Sequence, residues 1–194
     1  MTDLATELDV GPCVARVRLT IVDVTVRRVR PDEGAALKAV RLAALADAPS
    51  AFGSSYATEV DMSEDDWTMR AARGAAGTSS VTYLAVVEHS VVGIVGAHRP
   101  DPAASSVELV SMWVSPAQRR AGIAGQLVGA VLEWADGIGA SSVELWVTRG
   151  NDAARRLYEA AGFGETGECQ PLPSDPCRDE VRMRRSIREH PATV

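Results

Sequence analysis

The chain has 194 residues, 46% of them apolar and 24% charged, and a formal net charge of −6. That length builds one domain with a sizeable core, and the acidic balance argues against a general nucleic-acid binder, which works through a basic face. The three cysteines, Cys13, Cys169 and Cys177, fit neither a disulfide framework nor a zinc knuckle, a usage suited to a reducing, cytoplasmic setting. No apolar run approaches the roughly 20 residues of a membrane span, and the acidic stretch Met1–Val10 lacks the basic start of a signal peptide.

Residues 1–21 show no sustained period and contain Gly11-Pro12; they read as an N-terminal extension, either disordered or contributing one strand. Val22–Arg30 is Val-rich and partly alternating, the pattern of a first strand. Pro31-Asp32-Glu33 suits a helix start, Leu37, Val40 and Ala44 recur at helical spacing, and Asp47-Ala48-Pro49 ends the helix. Ser50–Met62 reads as a loop bearing Phe52 and Tyr56. Ser63 then caps a second helix with Glu64, Asp65 and Asp66 in its first turn.

Val81–Glu88 and Val91–His98 form a hairpin around His89-Ser90, and Val107–Val114 follows as a third strand. A turn at Ser115-Pro116 leads into a helix whose face is Ile123, Leu127, Val131, Trp134 and Ile138. Val143–Val147 is a short strand and Asp152–Ala161 a helix that Gly162 stops. Phe163–Thr166 begins a strand, Gly167–Arg178 reads as a Pro-rich loop, Glu180–Arg185 is the last strand, and 189–194 is a polar tail. Long antiparallel runs with inserted helices make this an α+β chain, not a uniform βα repeat.

The chemistry concentrates where the Val107–Val114 strand meets a Gly/Ala-rich turn at a helix start, because unpaired N–H groups and the helix dipole form an anion cradle there. A Walker A loop is excluded, since Lys38 is the lone lysine and no Lys-Ser or Lys-Thr occurs. A dinucleotide fingerprint is excluded because Gly122-Ile123-Ala124-Gly125 lacks its spacing and no βαβαβ half follows. What remains is R-x-x-G-x-A at Arg119, Gly122 and Ala124.

That stretch, Met112-Trp113-Val114-Ser115-Pro116-Ala117-Gln118-Arg119-Arg120-Ala121-Gly122-Ile123-Ala124, resembles the acetyl-CoA motif of the GCN5-related N-acetyltransferases, the GNAT family. Asn151 to Phe163 is similar to a second motif of the family, N-x-x-A-x-x-L-Y-x-x-x-G-F, and follows in the family's order with a strand between. The resemblance covers residues 22–188. It implies the GNAT fold: a mixed, mostly antiparallel sheet flanked by helices, with the Val107–Val114 and Val143–Val147 strands splayed apart. It also implies acetyl-CoA as cosubstrate, with pantetheine against the main chain of Met112, Trp113 and Val114. The pyrophosphate would lie over Arg119, Arg120, Ala121, Gly122, Ile123, Ala124 and Gly125, with at least one arginine near it, and Asn151 would touch pantetheine or cap its own helix.

The resemblance further implies Tyr158 as the acid beside the coenzyme sulfur and Glu108 as the base, directly or through water. Each has a plainer reading, Tyr158 as a core tyrosine and Glu108 as an outward strand residue. Acetyl transfer to an amine also needs an oxyanion donor, expected from an N–H near Met112–Val114. The acidic residues Glu59, Asp61, Glu64, Asp65 and Asp66 either attract a cationic acceptor or form a solvated helix start. Trp113 and Trp146 read as core, and His89 and His98 are too scattered for a metal site. The expected activity is direct acetyl transfer to a primary amine of a small molecule or peptide, with no nucleic-acid or membrane partner. A non-catalytic acyl-CoA-binding sensor is the alternative. Both monomer and homodimer are open, since many members of the family dimerise.

Overall fold

The computed structural model describes residues 23–187 except residue 102. The expected extension (1–21) and tail (189–194) lie outside the described residues. Seven strands form one sheet: β1 Val24–Arg28, β2 Ser80–Val87, β3 Ser90–His98, β4 Ser106–Val114, β5 Ser142–Thr148, β6 Gly164–Leu172 and β7 Asp175–Ser186. Their spatial order is β1-β2-β3-β4-β5-β7-β6. Every pairing is antiparallel except β4 with β5. The helices are α1 Gly34–Asp47, α2 Tyr56–Val60, α3 Glu64–Ala76, α4 Ile123–Gly137 and α5 Asp152–Ala160.

Alternation along the strands divides the apolar side chains between two faces. One face packs Val107, Leu109, Val143, Leu145 and Met183 against α4 and α5. The other packs Leu84, Ile94 and Trp113 against α1 and α3. Helix α1 buries Leu37, Val40, Ala44 and Leu45 in that second core. It lies so close to α3 that a Cβ on Gly34 would come within 2.9 Å of the Thr68 amide nitrogen. Ser63 starts α3 with a reciprocal capping box closed by Asp66.

Two stretches read as loops are regular. Ser50–Met62 holds α2, capped by the Ser55 hydroxyl accepting from the Thr58 N–H, and five residues are too few to carry a visible period. Gly167–Arg178 is mostly paired, with β6 running on to Leu172 and β7 starting at Asp175. Pro171 is tolerated because β6 is the edge strand, Pro173 lies in the turn between the strands, and Pro176 lies in β7 ahead of its pairing with β5, which begins at Glu180.

Two features of β4 position the site. It pairs with β5 over Ser106–Glu108 only, so beyond Glu108 the two strands diverge, as the splayed-strand expectation required. Its register with β3 also slips: Gly96 opposes Val110 while Ile94 opposes Trp113, so two β4 residues face one of β3. This bulge holds Ser111 at φ +58°, uncommon for a residue with a side chain.

Candidate active site

The cradle forms where β4 ends. Arg120 (φ +65°) and Gly122 (φ +78°) turn the chain into α4, whose first turn has no side-chain cap. The leading N–H groups of α4 precede any i−4 carbonyl and so lack helical partners. A Cβ built on Gly122 or Gly125 meets no atom within 4 Å, which leaves open space for a phosphate against the backbone. The two arginines here differ. Arg119 donates to the Val114 carbonyl at 3.0 Å and pairs with Asp47, which also accepts from the Trp113 indole at 2.9 Å. Its guanidinium therefore locks the strand end to α1. Arg120 is exposed, and its guanidinium makes no hydrogen bond or ion pair among the described residues. The Trp113 and Arg119 contacts hold the Asp47 carboxyl below its ordinary range.

Between the diverging strands lies a cavity of about 80 Å³, lined by Phe52, Ser111, Met112, Trp146, Asn151 and Tyr158 among others. Tyr158 is buried, edge-on to Phe163 with ring centroids 5.8 Å apart. Burial raises the pKa of its phenol, so it keeps its proton. Asn151 caps α5, its Oδ1 accepting from the Ala154 N–H at 3.2 Å, and the same residue lines the cavity. Trp146, expected in the core, instead borders this gap at intermediate exposure with Arg182 over its ring. The reason is that β5 has no β4 neighbour at that level.

On the α1–α3 face lies a larger cavity, about 490 Å³, reached by Arg41, Arg70, Trp67, His98, Val110 and Ser111 among others. Val110 and Ser111 line both cavities, so the bulge is their common wall. Glu108 stands opposite His98 on β3 and Glu144 on β5. Glu144 is buried and neutralised by Arg182 and Arg184, whereas the Glu108 carboxylate has no ion pair among the described residues.

Three residues here escaped sequence reasoning. Ser111 looked like an ordinary strand position. Glu180 is buried, and burial together with the charge of Glu108 raises its pKa against a hydrogen bond from Gln170. Glu59 was expected in an exposed acidic run but is buried between Arg41 and Arg70, each 2.8 Å away. Two others of that run are also engaged, as Glu64 pairs with Lys38 and Asp66 closes the α3 cap, while Asp61 and Asp65 are exposed. Glu59, Glu64 and Asp66 thus have partners within the fold.

The family model for acetyltransferases of the GNAT type matches residues 42–163, which span the cradle, the splay and α5. The chain belongs to the acetyltransferase (GNAT) family. Acetyl-CoA is the acyl donor of this family, and the uncapped helix start with its open glycines fits that ligand's pyrophosphate. Among its GNAT relatives, the N-acetylaspartate synthetase of Danio rerio is 40% identical over 94 residues, 48% of this chain and 33% of that protein. The enzyme of the same name from Homo sapiens is 41% identical over 90 residues, 45% of this chain and 29% of that one. The matched segment thus spans about a third of each relative. Among solved structures, a Salmonella typhimurium protein with its cofactor acetyl-CoA superposes with TM-score 0.72 at 18% identity, covering 89% of this chain and 98% of that one. Spermidine N-acetyltransferase from Vibrio cholerae, solved with CoA and spermine, gives 0.67 at 17%, covering 84% and 95%. These likenesses establish the GNAT fold. Among the described residues of this GNAT chain, no three His, Cys, Asp or Glu side chains gather as metal ligands, and no helix is long and apolar enough to cross a membrane.

Proposed function

We propose that the protein transfers an acetyl group from acetyl-CoA directly to a primary amine of a small molecule or peptide. The observation that carries this reading is the bulge at Val110–Ser111, the common wall between the gap of the splayed strands and the large cavity on the α1–α3 face. The two substrates can therefore approach one another across a single strand.

Acetyl-CoA supplies an activated acyl group and a thiol leaving group. The main chain of β4 beyond Glu108 has no β5 partner, so groups at Met112, Trp113 and Val114 are available to pantetheine and to a developing oxyanion. The α4 start, from Ala121 to Gly125 with Arg120, receives the phosphates, and Arg119 serves by fixing the strand end to Asp47. Tyr158, kept protonated by burial, is the proton donor for the departing sulfur. Glu108, with no cation paired to it, accepts the proton of the incoming amine directly or through water. An ammonium with pKa near ~10.4 must lose that proton before it attacks.

The relatives named for N-acetylaspartate support an amino acid as one acceptor class, and the protein named for spermidine supports a small amine more generally. A panel of amines assayed for thiol release tests the reading. Turnover of at least one small amine, lost in Glu108→Gln and Tyr158→Phe combined, is the expected result. Tight acetyl-CoA binding with no turnover across the panel would favour the sensor alternative.

A further inference from the structure

The chain as a whole carries a net charge of −6, yet the lining of the cavity on the α1–α3 face has the opposite sign. Arg41, Arg70, Arg73 and Arg99 line it, and Glu59 is the carboxylate among its lining residues. Glu59 is already saturated: Arg41 donates to it through Nε and one terminal nitrogen, and Arg70 donates from Nη1 at 2.8 Å. The other terminal nitrogen of Arg41 reaches the Ser111 hydroxyl at 3.3 Å. One carboxylate therefore offsets one of four guanidiniums. The Arg73 guanidinium makes no hydrogen bond or ion pair among the described residues.

A second observation is independent of that charge. Trp67 is fully buried and lines the same cavity, yet its indole N–H has no acceptor among the described residues. A buried donor left unpaired costs about 1–3 kcal/mol, so such groups ordinarily have a partner. Arg70 stacks over the Trp67 ring with its guanidinium carbon 5.0 Å from the centroid. Unspent donors and uncompensated positive charge thus converge on one wall, facing an opening large enough for a small molecule. The chemistry that complements such a wall is an anionic group rich in acceptor oxygens.

We infer that the acceptor amine also carries an oxyanion group, a carboxylate or phosphate, bound by Arg70, Arg73 and Trp67 while its amine reaches the Ser111 bulge. This rests on the acetyl-transfer reading for the amine end alone. The oxyanion site itself can be probed without turnover. A protonated polyamine, with charge at both ends, is repelled by the same wall.

The test has two arms on the full chain. Calorimetric titration with succinate, inorganic phosphate and spermidine, with CoA present, reads the cavity directly. Succinate or phosphate binding that falls at least ~10-fold in Arg73→Met, with Tm unchanged, is the expected result, and the stronger of the two anions identifies the group. In the kinetic arm, acetylation of L-aspartate, O-phosphoethanolamine and spermidine is compared. The inference expects turnover of an acidic amine and, in Arg73→Met, a KM for it raised ~10-fold with kcat and the acetyl-CoA KM nearly unchanged. Binding of neither anion, or spermidine outperforming both acidic amines, overturns the oxyanion site. Anion binding with no turnover of any amine keeps the site and instead removes the acetyl-transfer reading.

Discussion

Ser111 accepts a hydrogen bond from Arg41 at 3.3 Å across 70 residues of chain, and that contact ties the β4 bulge to α1. The bulge separates the two cavities, while Arg41 is held by Glu59 on α2 and stacks 4.9 Å over Phe52. The strand that would carry the acyl donor and the helices that would carry the acceptor are therefore joined at this hydroxyl as well as at Asp47. Replacing it by Ser111→Ala should cost about 1 kcal/mol of stability and raise the acceptor KM more than the acetyl-CoA KM. Equal effects on both constants would mean that the bulge does not discriminate the cavities. Ser111→Gly separates the parts, because it drops the hydroxyl while relieving the φ of +58°.

Glu59→Gln should be the most damaging of the polar substitutions. It leaves Arg41 buried without its counter-charge, a loss of the order of 3–5 kcal/mol by comparison with other broken buried pairs. Chemical denaturation reads this directly, and a loss below about 1 kcal/mol would show that water reaches the pair.

The same pair sets an acid limit. Burial alone would raise the Glu59 pKa, but Arg41 and then Ser54 and Arg70 outweigh burial and hold it at about 2, against an ordinary 4.5. A carboxylate depressed on folding contributes stability that is fully present above pH ~4.5 and lost as pH falls towards 2. Urea midpoints measured between pH 6 and 2.5 should fall more steeply for the wild type than for Glu59→Gln. Parallel curves would remove Glu59 from the acid transition.

Tyr158→Phe keeps the ring that packs on Phe163 and removes the phenolic proton. Stability should change by less than about 1 kcal/mol, while kcat falls by roughly 10²-fold, the lower end of acid catalysis. An unchanged kcat with an intact fold would return Tyr158 to a purely packing role.

At the cradle, Gly122→Val places a branched side chain at φ +78°, in space that is otherwise open. The left-handed conformation costs roughly 1–2 kcal/mol for a residue with a Cβ, and the added methyls stand where a phosphate would approach. The acetyl-CoA KM should rise ~10-fold or more with the acceptor KM little altered. Competition by free CoA monitors the same loss in binding alone.

What the chain declared on its own was local. The cradle and the Asn151–Phe163 motif are contiguous, so strand, turn, glycine and helix start could be read from spacing, and the family followed from their order. The splay of β4 from β5 was legible only as a consequence of that family, since nothing in either strand announces where pairing stops. Short α2 and the second half of edge strand β6 were missed, because five residues show no period and Pro171 reads as loop until the strand is known to be an edge. The large cavity was not legible at all. Its arginines come from α1, α3 and the end of β3, so its charge exists only after folding gathers them on one wall. Glu59 shows why: in sequence it is one of a row of acids, and in the fold two guanidiniums neutralise it and reverse the sign of its surroundings. Short-range order decided which family of chemistry the chain carries, whereas the charge of the large cavity was decided by side chains brought together only by long-range packing.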